Sequence, residues 1–456
     1  MIPSFHNQRL APGTAGLTGV LCMIALAGAA CDWPLDEAGD PFRCDPLCDE
    51  DAGLVCWEGR CVEDVRRTFR LPLPLFSAAS PRNQPVAEAK VLPASDDQLL
   101  VFYRVLLGDA TDLQAGASAS GDEFLFLNYG DDSISIGFTD SSTAAIPLCQ
   151  YDGTEQISST KVAMEQSPAG TVMAPQPLGK IRPSGPADLY SEGYLVLFDF
   201  NKKMSWDFWM ATTQRTAPCK SLGGGRPGTK LLEAGAVDYF NVNGLGTNKA
   251  GVGSARLSGV PLLAGLILPE DVASGQIRHA LSIAFPGGRN LNPSKPVEGK
   301  DFYYPATFAE DFFYSSNVNA PANGQRIRLK ARLVNDDGKP LDEDKQLAPI
   351  TQMVLRALRE YGAYLLDSSS DMTLLAEDYH SARLNISADR VNELIGNPPG
   401  SPLPASKTNW QIVMEKLSTD LRKIPLAEGP WPSGQDPSKA TITTTNFEFI
   451  NVVAGP

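Results

Sequence analysis

The feature that most constrains the fold is the apolar segment 257–286, LSGVPLLAGLILPEDVASGQIRHALSIAFP, the longest outside residues 1–30. Pro269, Glu270 and Asp271 interrupt the segment near its middle, and Gly275 follows. A proline followed by acidic residues is typical of a helix start, and a glycine of a helix end. The pattern therefore predicts a buried run, a short helix from Pro269 and a strand from Gln276 to Phe285 at the centre of a globular domain.

Short alternating segments predict that strands dominate the rest of the domain. The chain has 36 Pro and 40 Gly, which favours many turns over helix bundles. Apolar alternation between turn residues is typical of strands. Predicted strands are Gln98–Leu107, Glu123–Tyr129, Ser133–Phe138, a hairpin of Tyr194–Phe200 and Met204–Ala211, Arg326–Leu333, a second hairpin of Ala363–Leu366 and Met372–Ala376, and Phe447–Val453. The Gly- and Asn-rich residues 220–256 predict long surface loops.

Three segments predict helices inserted among these strands. Pro349 precedes apolar residues at helical spacing over 349–361, and Gly362 follows as a stop signal. Further helices are expected at 388–395 and 409–421. Strands outnumber helices in this prediction, so we expect a mainly β domain of β-sandwich or jelly-roll type over residues 66–456.

The N-terminus predicts export. Arg9 precedes an apolar run, Leu17–Ala30, that is short for a membrane span and rich in small residues at its end. Gly28-Ala29-Ala30-Cys31 resembles a bacterial lipobox, which would make Cys31 a lipidated first residue, although Gly28 stands where leucine is usual. Ala27-Gly28-Ala29 offers an alternative cut that releases a soluble protein.

Cysteine counting favours the lipid anchor. The chain has eight Cys, of which Cys22 leaves with the signal peptide of residues 1–30. A close cluster in residues 44–64 and a candidate pair further along leave Cys31 over, and an odd thiol is unusual in an exported protein. The disulfide candidates are Cys44, Cys48, Cys56 and Cys61, with three open connectivities, and Cys149 with Cys219.

The cluster at 44–64 favours a disulfide-rich module over a zinc site. Its spacing is C-x3-C-x7-C-x4-C, whereas zinc thiolates usually come in two close pairs with a longer gap between them. An exported chain is also oxidised. Residues 31–43, acidic and proline-containing, would tether this module to the membrane. Asp32 after the lipidated Cys is an inner-membrane retention signal in some bacteria, so the choice between inner and outer membrane stays open.

Five segments form a series in sequence order: DFNKKMSWDFWMA (199–211), SGVPLLAGLILPEDVASGQIRHAL (258–281), Tyr304-Pro305-Ala306, GQRIRL (324–329) and ALREYGAYLLD (357–367). This series resembles a group of exported bacterial β-rich proteins of unassigned function. The group shows D..YDFWQA, GLPLLGGLIRPEE..G.I.HAL, WPA and ALQ.YG in this order. It often has Asp-Gly-His where this chain has Ser191-Glu192-Gly193-Tyr194, so no role for that histidine carries over. The N-terminal module resembles the cysteine-rich stalks of myxobacterial lipoproteins.

Candidate site residues follow from their chemistry. His279, one of three histidines, could act as a general base with Glu270 and Asp271 or with Asp199 and Asp207, while a structural role in the core is the alternative. Asp199 and Asp207 could face each other across the predicted hairpin as a glycosidase carboxylate pair. Candidate sugar-stacking residues are Trp209, Tyr303 and Tyr304, although aromatic residues in strands are commonly core.

Two functions fit these expectations. One is a lipid-anchored protein of the Gram-negative outer membrane or cell surface that binds, and in one version degrades, polysaccharide. The other is a non-catalytic scaffold that makes protein contacts. The net charge of −14 argues against a nucleic-acid partner, because phosphate binding needs a basic face. No sequence motif predicts a metal or a cofactor. The two functions differ in whether the candidate residues converge on one pocket.

Overall fold

The fold is known from a computed structural model, which describes residues 54–57, 60–63, 65–106, 124–130, 132–140, 145–150, 173–174, 177–178, 183–184, 193–211, 232–248, 253–309, 314–335, 339–426 and 446–450. Of these residues, about 25% lie in strands and 22% in helices, and the described sheets form no closed barrel. The structure is therefore mixed α/β. The prediction of a mainly β domain was too one-sided, because helix is almost as abundant as strand.

The elements are named in chain order. Helices are α1 (Val65–Thr68), α2 (Ser95–Leu106), α3 (Pro269–Ser274), α4 (Glu343–Gln346), α5 (Pro349–Glu360), α6 (Ala388–Ile395) and α7 (Asn409–Leu421). Strands are β1 (Leu54–Trp57), β2 (Arg60–Glu63), β3 (Phe126–Asn128), β4 (Ser135–Thr139), β5 (Ile146–Gln150), β6 (Met173–Ala174), β7 (Leu195–Asp199), β8 (Met204–Trp209), β9 (Leu232–Ala234), β10 (Ala236–Asn241), β11 (Leu281–Phe285), β12 (Gly288–Arg289), β13 (Tyr314–Ser315), β14 (Arg326–Leu329), β15 (Ala363–Ser368), β16 (Thr373–Leu375) and β17 (Phe447–Ile450).

Two larger sheets organise the domain. One has six strands in the order β17-β14-β15-β11-β16-β3, and the other has four in the order β10-β8-β7-β4. The six-stranded sheet contains two parallel pairs, β11 with β15 and β16 with β3, and the four-stranded sheet contains one, β4 with β7. Jelly rolls are antiparallel, so these parallel pairs depart from the jelly-roll expectation.

The six-stranded sheet lies between two hydrophobic cores. Along β15, Ala363 and Leu365 belong to the core formed with α5, α6 and α7. Tyr364 and Leu366, which alternate with them, belong to a second core with Phe138 of β4 and other side chains of the four-stranded sheet. Successive residues of a strand point to opposite faces. Helices therefore cover one face of this sheet, and the other face shares a core with the four-stranded sheet.

The apolar segment 257–286 contributes to both cores. Residues 260–268 form the predicted buried run, most of it in the second core, whereas Leu281 and Ile283 of β11 belong to the core on the helix side. Helix α3 begins at Pro269 as predicted and is capped by Gly275, which has the left-handed φ of +79°. Gly265 is required there, since a Cβ at this residue would lie 2.4 Å from the Ser282 hydroxyl. The strand begins at Leu281 rather than Gln276, because the Gln276 N–H still donates to Asp271 O to close the helix.

Several local predictions are confirmed and others are wrong. Helices α5, α6 and α7 match their predicted positions, and β7 and β8 form the predicted hairpin. The predicted strand Gln98–Leu107 is instead helix α2, with Asp96 and Asp97 in its first turn and Arg104 in its last. Those charges favour a helix through its dipole, and a short apolar run cannot by itself separate strand from helix.

Two further predictions are wrong because strands from distant parts of the chain pair with each other. β15 and β16 do not form a hairpin, because β11 lies between them and pairs with both. The predicted loops at 220–256 contain β9 and β10, and β10 pairs with β8 at the edge of the four-stranded sheet. Neither pairing has a local signal in the sequence.

Candidate functional site

His279 has a structural position. Its Nε2 lies 3.1 Å from Asp271 Oδ2, and its Nδ1 lies 3.1 Å from Ala280 O. Burial opposes the charged imidazolium, but Asp271 and these hydrogen bonds outweigh burial, so the pKa of His279 is raised. Asp271 also caps α3 by accepting from the Leu268 N–H. Asp271, one of the four acids proposed to act with His279, is thus in contact with it. Glu270, another of these acids, binds Arg66.

Asp199 and Asp207 do not form the predicted carboxylate pair. In the β7–β8 register, Asp207 lies opposite Val196 and Asp199 lies opposite Met204. Val196 and Asp199 are three residues apart on a strand, so the two acids lie on opposite faces of the sheet. Asp199 Oδ1 accepts from the N–H groups of Asn201 and Lys202, both at 2.9 Å, and so caps the hairpin turn.

Asp207 instead pairs with an acid that the sequence analysis missed. Asp238 of β10 is directly opposite Asp207 of β8, and both are buried. Asp207 accepts from the Leu262 N–H at 2.6 Å, and Asp238 accepts from Asn248 at 2.5 Å. Burial raises the pKa of each acid to about 7, and Asp238 adds repulsion at Asp207. Even a strand prediction for residues 236–241 would have missed this pair, because nothing local in the sequence shows that this strand pairs with β8.

Trp209 packs against the protein core. It ends β8 and packs, partly buried, against the core between the two larger sheets. Gly235 lies against its indole ring, where a Cβ would come within 3.0 Å of the ring. Because Gly235 already contacts part of the indole ring, this position does not support the predicted sugar-stacking role.

Tyr303 is half-buried beside an arginine. The Arg289 Nη2 group donates to the Tyr303 hydroxyl at 3.1 Å, and the guanidinium lies 5.7 Å from the ring centroid. Arg289 Nε is buried without a hydrogen-bond partner. Neither polar atom of the Asn323 amide, which is fully buried, has a partner. The Asn323 carbonyl accepts from the Tyr303 N–H at 2.8 Å, so the two backbones are adjacent. The Asn323 amide oxygen lies beside Gly288, the residue before Arg289, where a Cβ would be 3.1 Å from it.

Tyr304 is half-buried beside a second arginine. Its hydroxyl hydrogen-bonds Thr247, and burial raises its pKa although Arg82 opposes this. Arg82 is buried and donates through Nη1 to Gly246 O at 2.8 Å, while its Nε and Nη2 have no partner. Burial lowers the pKa of Arg82 to about 10, with the nearby Arg256 lowering it further.

The consecutive tyrosines thus each have a buried arginine with unpartnered N–H groups. We call Tyr303, Tyr304, Arg82, Arg289 and Asn323 the arginine–tyrosine site. Of the predicted residues it contains the two tyrosines, while the remaining candidates lie in turns, cores or strand pairs. The arginines were missed because they come from 81–83 and 288–289, far from the tyrosines in sequence.

The cysteine and lipid predictions fall largely outside the described residues. Cys31, Cys44, Cys48 and Cys219 lie there, as do the predicted signal peptide and tether. In the backbone register of β1 and β2, Cys56 is directly opposite Cys61. The backbone of Cys149 lies in β5.

Within the described ranges, no group of three or more His, Cys, Asp or Glu side chains could hold a metal ion. None of the helices described above is long and apolar enough to cross a membrane.

Comparison with protein-family models, curated proteins and solved structures finds no match to this chain.

Proposed function

We propose that this protein is an exported, lipid-anchored cell-envelope protein whose folded domain binds polysaccharide at the Tyr303 side of the arginine–tyrosine site. The observation that carries the proposal is the half-buried Tyr303 ring beside Arg289 Nε and the Asn323 amide, both buried without partners. A buried polar group left unpaired costs about 1–3 kcal/mol. A ligand that supplied its partners would recover that free energy.

Sugars have the complementary chemistry. A pyranose ring presents a C–H face that packs on an aromatic ring, and hydroxyls that both donate and accept. Arg289 offers a donor, and the Asn323 amide offers both a donor and an acceptor. Binding of small ligands commonly combines aromatic contact with a few convergent polar groups. Cleavage is not part of the proposal, because Asp207 and Asp238 are buried between sheet and core on a different element.

The lipid anchor and the sheet packing are supported by separate observations. The small residues before Cys31 and the odd cysteine support lipidation. Phe138 and Phe198 share one core with Tyr364 and Leu366, which supports face-to-face packing of the four- and six-stranded sheets in the manner of a sandwich.

A scaffold function is the alternative, and exposed apolar residues favour it. Leu291 and Val297, which follow Arg289 in the chain, are exposed, and so is Val318, whose carbonyl accepts from Arg289 Nη1 at 2.7 Å. The Leu291 and Val297 N–H groups bind the same Asp301 carboxylate, so these two side chains start from neighbouring positions. Exposed apolar residues that lie together are typical of protein contact surfaces.

A glycan array with the purified protein separates the two functions. We expect specific glycan binding that weakens at least about tenfold in Tyr303→Ala and in Arg289→Met, equivalent to about 1.4 kcal/mol. His279→Gln is the control and should bind like wild type, since His279 contacts Asp271 and Ala280. Wild type that binds no glycan, or Tyr303→Ala that binds normally, would refute the polysaccharide proposal and favour the scaffold.

A further inference from the structure

Arg82 is held in one orientation by the fold. It lies in the short 3-10 helix Pro81–Asn83, and its carbonyl accepts from the Ala280 N–H at 2.8 Å. Its guanidinium lies 5.6 Å from the Phe76 ring centroid and donates through Nη1 to Gly246 O. The side chain is 2% exposed. Arg82 is therefore a fixed, buried cation.

One edge of the Arg82 guanidinium has no hydrogen-bond partner. Both Nε and Nη2 lack a hydrogen-bond partner. These two N–H groups point in parallel from the same edge of a guanidinium, which is the edge that binds both oxygens of a carboxylate. Among the ion pairs of the described residues, none involves Arg82. The orphaned groups are thus a matched pair of donors.

Arg326 shows that the same fold can satisfy a buried arginine fully. It is 1% exposed, like Arg82, and its Nε donates to Tyr361 O at 2.7 Å. Its Nη1 donates to Pro81 O at 3.0 Å, and its Nη2 to Gln84 O at 2.8 Å. All three nitrogens therefore have carbonyl partners. Two neighbouring buried arginines therefore differ: the nitrogens of Arg326 are all paired, whereas Nε and Nη2 of Arg82 are not.

Arg256 adds a third free donor to the cluster. It is fully buried and donates through Nε to Asp367 at 3.1 Å, while its Nη2 has no partner. Arg82 and Arg256 are close enough that repulsion from Arg256 lowers the pKa of Arg82. A buried cation without an anion is unfavourable, since the low-dielectric interior replaces the water that would solvate it. Asp367 is the carboxylate that forms an ion pair with this cluster, and one carboxylate offsets one of its two cations.

We propose that Arg82, assisted by Arg256, binds the carboxylate of a ligand, with the Nε/Nη2 edge of Arg82 contacting both oxygens. Arg82 lies next to residues that reach the surface, since Leu245 and Thr247 of the adjoining segment and the half-buried Tyr304 are all partly exposed. Carboxylates occur in acidic sugars and as free organic acids. Assigning this carboxylate to an acidic sugar rests on the proposed function, whereas the anion site itself does not.

Calorimetric titration of the purified protein with galacturonate, galactose and acetate tests the inference at constant ionic strength. We expect galacturonate to bind at least about tenfold more tightly than galactose, and Arg82→Met to remove that difference. Acetate should bind wild type and compete with galacturonate. Arg82→Lys, which keeps the charge without the parallel donors, should also weaken carboxylate binding about tenfold.

Arg326→Met is the matched control. It removes an arginine of similar burial whose nitrogens are already paired, so carboxylate preference should persist. Its melting temperature should fall more than that of Arg82→Met, which removes a cation without an ionic partner.

The outcomes separate this inference from the proposed function. If wild type binds acetate through Arg82 but no glycan, the anion site stands and the polysaccharide proposal fails. If a neutral glycan binds through Tyr303 and neither acetate nor galacturonate is preferred, the polysaccharide proposal stands. In that case the free N–H groups of Arg82 are met by water, and the anion site is refuted.

Discussion

Replacing Asp207 by Asn removes one acid of the buried Asp207–Asp238 pair while leaving an oxygen to accept from the Leu262 N–H. The pKa of Asp207 is about 7 in the folded protein, whereas the ordinary pKa of an aspartate is 3.8. A difference of about 3 pKa units at about 1.36 kcal/mol each gives about 4 kcal/mol. Because the folded pKa is raised, the folded state holds the proton more tightly. Stability is then complete below about pH 4 and is lost as the pH rises towards 7.

We expect wild type to lose a few kcal/mol of unfolding free energy between about pH 4 and about pH 7 from this acid. Asp207→Asn should lose much less, and at about pH 8 it should be the more stable protein by a similar amount. Its amide can also donate to Asp238 and removes the repulsion between the acids, which lowers the pKa of Asp238.

Urea unfolding followed by tryptophan fluorescence at several pH values measures both profiles. The raised pKa values of Asp367, Glu377 and His279 give wild type a slope of the same sign, so the difference between variant and wild type is the informative quantity. Asp199→Asn is the control, because it retains an acceptor for its turn and lies on the other face of the sheet. Parallel profiles for wild type and Asp207→Asn would refute the buried-pair reasoning.

Two further predictions concern a buried ion-pair network and a close backbone contact. Arg66→Met leaves Glu270 and Glu377 buried without their shared cation and should cost about 3–5 kcal/mol in urea unfolding, whereas Lys345→Met, from an exposed pair, should leave stability almost unchanged. Gly324→Ala should lower the melting temperature and weaken glycan binding together, since its Cβ would lie 1.6 Å from Tyr303 O. Gly299→Ala has a similar φ but open space around it, so it should cost only about 1 kcal/mol and leave binding intact; equal effects of the two alanines would contradict the steric argument.

The arginine–tyrosine site illustrates the limits of reasoning from sequence. Tyr303 and Tyr304 could be picked out as aromatic residues, but their neighbours could not. Arg82 reaches Tyr304 because residue 280 of the central segment binds its backbone and the 244–248 segment lies over its guanidinium. None of these contacts leaves a spacing that can be read along the chain.

The sequence by itself determined the elements whose signals are local. Pro349 and Gly362 mark the two ends of α5, and Pro269 and Gly275 mark the two ends of α3. Alternating residues on either side of the turn at 201–203 form the β7–β8 hairpin. Proline, glycine and side-chain periodicity act over a few residues, so their effects are visible in a short window.

Only the tertiary structure decided which distant residues meet. β11 lies between β15 and β16, and β10 adds Asp238 beside Asp207. Strand partners are chosen by the burial and hydrogen bonding of whole sheets, and a shift of one residue would turn every side chain to the other face. The environment of each buried acid and arginine therefore depends on the complete packed domain, and with it the chemistry of the candidate site.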